Sequence, residues 1–137
     1  MPHIIVEYSA NIEAEAELET LFRTLRDVAV ETGVFPLSGT RVRGAKRKKY
    51  LIADGHPDNA FLHVVLRVGH GRDETTLKEA GDTIYAALCD HLQGVFDTRP
   101  MNISMDIQEI HPVLTFKRNN MAEHMERHAA DTTQAAE

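Results

Sequence analysis

The stretch AFLHVVLRVGHGRDETTLKEAGDTIYAALCDHL (residues 60–92) contains a complete strand, turn and helix. Its first part, Ala60 to Val68, is rich in apolar and β-branched residues and predicts a strand. The glycine-containing turn GHGR follows, and then Asp73, a favourable N-cap. After Asp73, apolar residues recur at helical spacing and predict the buried face of a helix. These residues are Leu77, Ala80, Ile84, Ala87, Leu88 and Leu92.

The same order of elements occurs roughly 60 residues earlier, a spacing typical of a duplicated unit. His3 to Ser9 predicts a strand, Asn11 an N-cap, and residues 12–32 a helix that Gly33 terminates. The early glutamates of this segment suit the positive end of a helix dipole. Its apolar face consists of Leu18, Leu21, Phe22, Leu25, Val28 and Ala29.

Two further segments complete the predicted sheet. Residues 40–53 predict an extended, solvent-edged strand, and residues 102–108 alternate polar and apolar residues, as a half-buried strand does. Together the segments predict an α/β (α+β) fold: a duplicated β-α-β arrangement with one four-stranded sheet and two helices on one face. The predicted halves span about 1–58 and 59–120 of a single domain, 1–120. Residues 121–137 are predicted to form a C-terminal tail that starts as a helix and ends frayed or disordered.

The strands also contain more apolar residues than one layer of helices was expected to cover. We therefore expect the other face of the sheet to pack against copies of the chain, giving a homo-oligomer and most naturally a homotrimer. The residues behind this expectation are Ile4, Val6, Val64, Leu66, Ile103 and Ile107.

Bulk properties exclude several classes of protein. The chain has 137 residues, no apolar run near the ~18 residues of a membrane helix, and no secretory signal. Its lone Cys89 cannot form an internal disulfide, so we expect a reducing, cytoplasmic setting. A net charge of −6 disfavours nucleic-acid binding, although RVRGAKRKK (residues 41–49) is strongly basic. This basic run predicts either a charged edge strand that resists aggregation or a surface that attracts anions.

The Met-Pro start permits two interpretations. A proline lacks an N–H and is easily accommodated at the start of a strand, so Pro2 need have no further role. Alternatively, processing removes Met1, which leaves Pro2 as a free secondary amine. Held in an apolar environment near cations, such an amine has a lowered pKa and acts as a general base near neutral pH.

Four motifs together resemble a known family: MPHIIVE (residues 1–7), TGVFPLSGTRVR (32–43), FLHVVLRVGHGR preceded by ADG (53–72) and HPVLTFKRNN (111–120). The chain resembles the tautomerase superfamily and, within it, the trimeric 5-carboxymethyl-2-hydroxymuconate isomerases of homoprotocatechuate breakdown. The resemblance implies a cofactor-independent and metal-independent isomerase that converts 5-carboxymethyl-2-hydroxymuconate to 5-carboxymethyl-2-oxo-hex-3-enedioate. The implied partners are a small anionic substrate and further copies of the chain, with no nucleic acid and no membrane.

By residue match, the resemblance assigns acid–base catalysis to Pro2. It assigns substrate binding and polarisation to Arg41 of GTRVR and Arg72 of GHGR, with an exchange of roles between Arg41 and Arg43 left open. Ile4 and Phe35 are expected to supply part of the apolar lining around the amine. Phe116 is expected either to close the pocket in a trimer or to serve in packing.

Alternatives remain open from the sequence. One is another tautomerase-superfamily reaction on a related acid, and another is a non-catalytic oligomeric binding module, which retention of Met1 would favour. A third is a nucleic-acid contact through residues 41–49. His124 and His128 share a helix face but lack a third ligand nearby, so a metal site is not expected.

Overall fold

The computed structural model describes residues 1–136. Four strands and three α-helices form the fold, with short 3-10 turns at Ala10–Ile12 and Leu37–Gly39. In chain order they are β1 (His3–Ser9), α1 (Leu18–Glu31), β2 (Arg41–Arg47), β3 (Ala60–Val68), α2 (Glu74–Thr98), β4 (Met101–Glu109) and α3 (Met121–Ala136).

The sheet has the strand order β2-β1-β3-β4. β1 pairs with β2 and β3 pairs with β4, both in parallel, so each pair with its connecting helix makes one β-α-β unit. The two units join through the antiparallel pair β1–β3, in which Val6 lies opposite Val64. The predicted duplicated fold is confirmed. Because β1 of the first unit pairs with β3 of the second, the two units form a single sheet with a single core.

One face of this sheet is buried by α1 and α2. The core consists of alternate strand residues and the apolar stripes of the two helices. Its largest fully buried side chains include Ile4, Val6, Leu21, Leu25, Leu62, Val64, Leu66, Ile84, Leu88 and Leu92.

The opposite face of the sheet does not contain the six residues behind the expected oligomer, which corrects the physical basis of that expectation. Ile4 lies opposite Leu66, and Leu66 lies opposite Ile107, so these residues share the face that the helices cover. All six apolar residues behind that expectation belong to the core or pack against it. The open face presents polar and charged residues around a half-buried apolar group of Ile5, Phe61 and Val65; the polar and charged residues include His3, Glu7, Arg43, His63, Arg67, Ser104 and Asp106.

The first helix begins later than predicted. Asn11 is not its N-cap, because the Asn11 side-chain amide donates to the carbonyl oxygens of Asn59 (2.8 Å) and Pro57 (3.3 Å). The chain forms a 3-10 turn there, passes through a left-handed residue at Glu17 (φ 46°) and enters α1 at Leu18. Asn11 therefore ties two connections together.

The second helix begins as predicted. Oδ1 of Asp73 accepts a hydrogen bond from the Thr76 backbone N–H at 2.7 Å. This bond satisfies one of the free donors at the start of α2. Among residues 1–136, no helix combines the length and the apolar character needed to cross a bilayer.

The C-terminal segment differs from expectation. In place of a frayed or disordered end, residues Met121–Ala136 form α3, which packs against the Leu37–Gly39 turn; Glu137 lies outside the described residues. Asn119 holds this junction, because its amide donates to the Ser38 carbonyl (3.2 Å) and its Oδ1 accepts from the Met121 N–H (2.7 Å). The division at residue 120 into domain and tail stays a prediction.

Candidate active site

The N-terminus lies at the start of β1, beside the beginning of β2. Pro2 is buried and Met1 is half-buried, and the Arg41 N–H donates to the Pro2 carbonyl oxygen at 3.3 Å. The Leu37–Gly39 turn closes over Met1 so tightly that a Cβ on Gly39 would lie 3.2 Å from Met1 Cγ. The chain terminus is therefore held in place by packing and by the first rung of the β1–β2 pairing.

Arg72 lies behind the N-terminus and is firmly oriented. Its Nη2 donates to the Val34 carbonyl at 3.1 Å, and its Nη1 donates to the Gly69 carbonyl at 3.3 Å. The guanidinium carbon is 5.0 Å from the ring centroid of Phe35, a cation–π geometry. A Cβ built on Gly69 would lie 3.8 Å from the Met1 nitrogen and 3.9 Å from Arg72 Nη1, so the cation and the amine are close neighbours.

Arg41 is half-buried on the other side of the N-terminus. Its Nη1 donates to the Gly39 carbonyl at 3.3 Å. Within the described chain, neither Arg41 nor Arg72 has an ion pair with a carboxylate, whereas Arg47 pairs with Glu7 at 2.7 Å. Because their partners are neutral carbonyls, the charges of these two arginines remain available to an anion.

A cavity of about 460 Å³ opens beside the terminus, within the size range of small-molecule sites. Arg41, Lys117 and Arg118 line it together with the Met1 amine, and no Asp or Glu of residues 1–136 is on its wall. Arg72 is not on the wall. A cavity with several cations and no carboxylate suits an anionic ligand.

The cations and the burial act together on the terminal amine. Burial lowers the pKa of the Met1 amine below its ordinary value, and the positive charges of Lys117, Arg72 and Arg41 lower it further. The pKa of His3, on the cavity wall, is lowered by burial and then by the neighbouring arginines. His3 Nδ1 accepts from Arg43 Nη1 at 3.2 Å.

The structure brings the predicted site residues Pro2, Arg41 and Arg72 together around the N-terminus. Of the two residues expected to line the amine, Phe35 contacts Arg72 and Ile4 lies in the core. Arg43 faces His3 and does not reach the cavity wall.

The sequence interpretation missed Lys117, Arg118 and His111, which all line the cavity. They belong to the motif HPVLTFKRNN, in which the sequence points to a role for Phe116 alone. Its two adjacent cations, in a segment with exposed apolar residues, were the available signal.

Other candidate groups lie outside this site. His63 Nδ1 is 2.7 Å from Ser104 Oγ on the open sheet face, and Cys89 is half-buried on α2. The rings of His124 and His128 are 6.5 Å apart on α3. Across the described part of the chain, no group of three or more His, Cys, Asp or Glu side chains is positioned to hold a metal ion.

The duplicated β-α-β sheet, with Pro2 buried next to a Met1 terminus that lines a cationic cavity, has the tautomerase fold. A solved structure described as a "Q0 fused 4-OT wild type symmetric trimer" shares that fold at a TM-score of 0.65 and 17% identity, covering 87% of this chain and 93% of that one. The chain belongs to the 5-carboxymethyl-2-hydroxymuconate isomerase family, whose model matches residues 2–125. The resemblance read from the sequence is confirmed.

Individual relatives agree with this assignment. The curated 5-carboxymethyl-2-hydroxymuconate Delta-isomerase of Escherichia coli is 38% identical over 121 residues, which span 88% of this chain and 96% of the relative. A crystal structure of a 5-carboxymethyl-2-hydroxymuconate isomerase from Deinococcus radiodurans R1 superposes with a TM-score of 0.84 at 34% identity. That similarity covers 90% of this chain and 93% of the other.

Proposed function

We propose that the protein isomerises 5-carboxymethyl-2-hydroxymuconate to 5-carboxymethyl-2-oxo-hex-3-enedioate, with the Pro2 nitrogen as the proton carrier. The observation that carries the proposal is a half-buried N-terminus on the wall of a cavity with several cations and no carboxylate. Membership of the isomerase family supports the same reaction.

The proposed reaction moves one proton within the substrate. Unprotonated Pro2 takes the proton of the 2-hydroxyl, and the oxygen lone pair forms the carbonyl at carbon 2. The C2=C3 double bond moves to C3=C4, and the electron pair of the former C4=C5 bond takes the proton back from Pro2 at carbon 5. No oxidant, reductant or second substrate is required, and Pro2 returns to its starting state.

The cations near the terminus support this role for Pro2. A base that later acts as an acid works best when its pKa is near the working pH. An α-amine ordinarily has a pKa of about 7.7–8.0, and burial and positive neighbours lower it. Burial and positive neighbours lower the pKa of the Met1 amine in this way. Removal of Met1 makes the Pro2 nitrogen the terminal amine, one residue further along the chain, where Pro2 pairs with the backbone of Arg41.

In the proposed mechanism the two arginines have different tasks. Arg41 is on the cavity wall and binds a substrate carboxylate through charge-assisted hydrogen bonds. Arg72 lies beside the amine, where its positive charge disfavours protonation of Pro2 and stabilises the negative charge that develops on the 2-oxygen. The carbonyl contacts of Arg72 hold its charge in position before substrate arrives.

We further propose that residues 1–120 form one functional domain and that the chain assembles as a homotrimer. Both outer edges of the sheet, β2 and β4, lack a partner strand within the described chain. Val113, Leu114 and Phe116 are highly exposed beside the cavity, and Phe116 is 92% accessible. In a trimer, neighbouring copies would pair with the open edge strands and bury the exposed apolar side chains.

Arginine variants test the site assignment. We expect Arg41→Gln and Arg72→Gln each to lower kcat/KM for the dienol by about 10- to 1,000-fold, because each loses a charge that acts on the substrate or the transition state. Arg26→Gln is the matched control, since Arg26 is exposed and pairs only with its neighbour Asp27. Full activity in both site variants would refute the assignment.

The basic run tests the nucleic-acid alternative. Lys46 pairs with Glu13 at 2.6 Å and Arg47 pairs with Glu7, so part of its charge is already neutralised. We therefore expect no binding of DNA or RNA with a steep salt dependence. A filter-binding titration at two salt concentrations measures this directly.

A further inference from the structure

A strap, residues 110–120, connects β4 to α3 and passes beside the cavity. It is fixed at both ends: the Ile110 N–H donates to the Val68 carbonyl at 2.8 Å, and the Asn119 amide donates to the Ser38 carbonyl. Inside the strap, His111 Nδ1 accepts from the N–H groups of Val113 (3.1 Å) and Leu114 (3.0 Å). These bonds set the path by which the strap reaches the cavity.

The strap supplies Lys117 to the cavity wall. Lys117 is exposed and has no ion pair with a carboxylate of residues 1–136. Among the cations that act on the Met1 amine, Lys117 has the largest effect, ahead of Arg72 and Arg41. Lys117 and the Met1 amine therefore line the same cavity, and the lysine charge acts on both the amine and the cavity.

The proposed substrate has a third carboxylate that suits a cation on this wall. Carbon 5 receives its proton from Pro2, and the carboxymethyl group is attached to carbon 5. The carboxylate of that group is separated from the conjugated chain by one CH₂, so it remains near the amine while carbon 5 is protonated. A lysine ammonium on a flexible stem suits such a mobile carboxylate, because it acts as a point charge with three rotatable donors.

We propose that Lys117 is a specificity-determining residue that binds the carboxymethyl carboxylate of the substrate. The inference rests on the proposed function and adds to it a binding role for the strap. Arg41 then binds a carboxylate of the conjugated chain, and Lys117 distinguishes a tricarboxylate from a dicarboxylate.

Two substrates and three variants test this role. 2-Hydroxymuconate has the same dienol and lacks the carboxymethyl group. On the plateau of the pH profile, we expect Lys117→Met to lower kcat/KM for 5-carboxymethyl-2-hydroxymuconate about 10- to 100-fold, mainly through KM, and to change it less than about threefold for 2-hydroxymuconate.

Controls separate charge from packing. Lys117→Arg should restore most of the preference, because it restores the charge. Lys78→Met removes one lysine charge from α2, outside the cavity, and should leave kcat/KM for both substrates unchanged. Equal losses on both dienols in Lys117→Met, or no loss on either, would overturn the proposal.

A binding measurement makes the test independent of turnover. Calorimetric titration measures the affinity of the wild type and of Lys117→Met for tricarballylate, a tricarboxylate, and for glutarate, a dicarboxylate. We expect the wild type to bind tricarballylate about tenfold more tightly, and Lys117→Met to lose that difference. No preference in the wild type, or a preference that survives in Lys117→Met, contradicts the role of Lys117. Lack of turnover on both dienols contradicts the proposed function instead.

Discussion

At the residue scale, the account concerns the protonation state of one nitrogen. Burial and three nearby cations lower the pKa of the Met1 amine, and we expect the same groups to act on the Pro2 nitrogen once Met1 is removed. A base with a lowered pKa is unprotonated over a wider range of pH, so activity is retained to lower pH. Arg41, Arg72 and Lys117 thus affect the amine as well as the substrate.

The pH dependence tests this effect. The unprotonated amine is the active form, so kcat/KM should fall as pH drops through the amine pKa, and the midpoint should lie below the pKa of an unburied N-terminal proline. Lys117→Met removes a cation that favours the neutral amine, so the midpoint should move to higher pH. The pH profile on 2-hydroxymuconate measures the shift without the carboxymethyl contact. A midpoint that stays in place, or moves to lower pH, would contradict this account of the amine.

The limits of sequence interpretation are also seen at individual residues. Pro2, Arg41 and Arg72 lie in motifs of a known family, so the resemblance identified them. Lys117 lies in a motif too, but its position over the N-terminus depends on the path of the strap. That path is fixed by bonds such as Asn119 to Ser38, which are 81 positions apart and leave no local pattern in the sequence.

At the element scale, the sheet and the two long helices follow from local patterns, while the start of α1 does not. Asn11 has the residue type of an N-cap, yet its side chain bonds to the loop before β3. A tertiary contact thus replaced a local one. The N-cap at Asp73 was predictable because its partner, Thr76, is only three residues away.

The packing of β2 against α1 gives a stability prediction. A Cβ on Gly44 would lie 2.9 Å from Cζ of Phe22 and 3.3 Å from Cε1 of Tyr8. Two aromatic rings would have to move, so we expect Gly44→Ala to lower the free energy of unfolding by about 1–3 kcal/mol. Urea denaturation followed by circular dichroism measures the change.

A second glycine is the matched control for this prediction. Gly94 lies within α2, and a Cβ there would meet nothing within 4 Å. Gly94→Ala should raise the free energy of unfolding by about 0.5–1 kcal/mol, because alanine has the higher helix propensity. A stabilising Gly44→Ala would show that β2 and α1 are not as closely packed as described.

At the scale of the whole molecule, the assembly has a different basis from the one the sequence suggested. The six apolar strand residues behind the expectation lie under the helices, whereas the open face has a different apolar group, Ile5, Phe61 and Val65. Three highly exposed apolar side chains, Val113, Leu114 and Phe116, lie in the strap, and the sequence had already offered Phe116 a role in a trimer. The edge strands, the strap and the apolar group on the open face together support the proposed trimer.

Light scattering after size-exclusion chromatography tests the assembly. We expect a mass three times that of the 15.4 kDa chain, unchanged on tenfold dilution. A monomer mass at micromolar concentration would contradict the trimer and would leave the apolar strap residues without a partner.

The most direct test of the central claim compares one preparation before and after removal of Met1. Protein that retains Met1 is treated with methionine aminopeptidase, and intact mass verifies the conversion. The account predicts that kcat for 5-carboxymethyl-2-hydroxymuconate rises by about 100-fold or more when Pro2 becomes a free secondary amine. Equal kcat values for the two forms would contradict it.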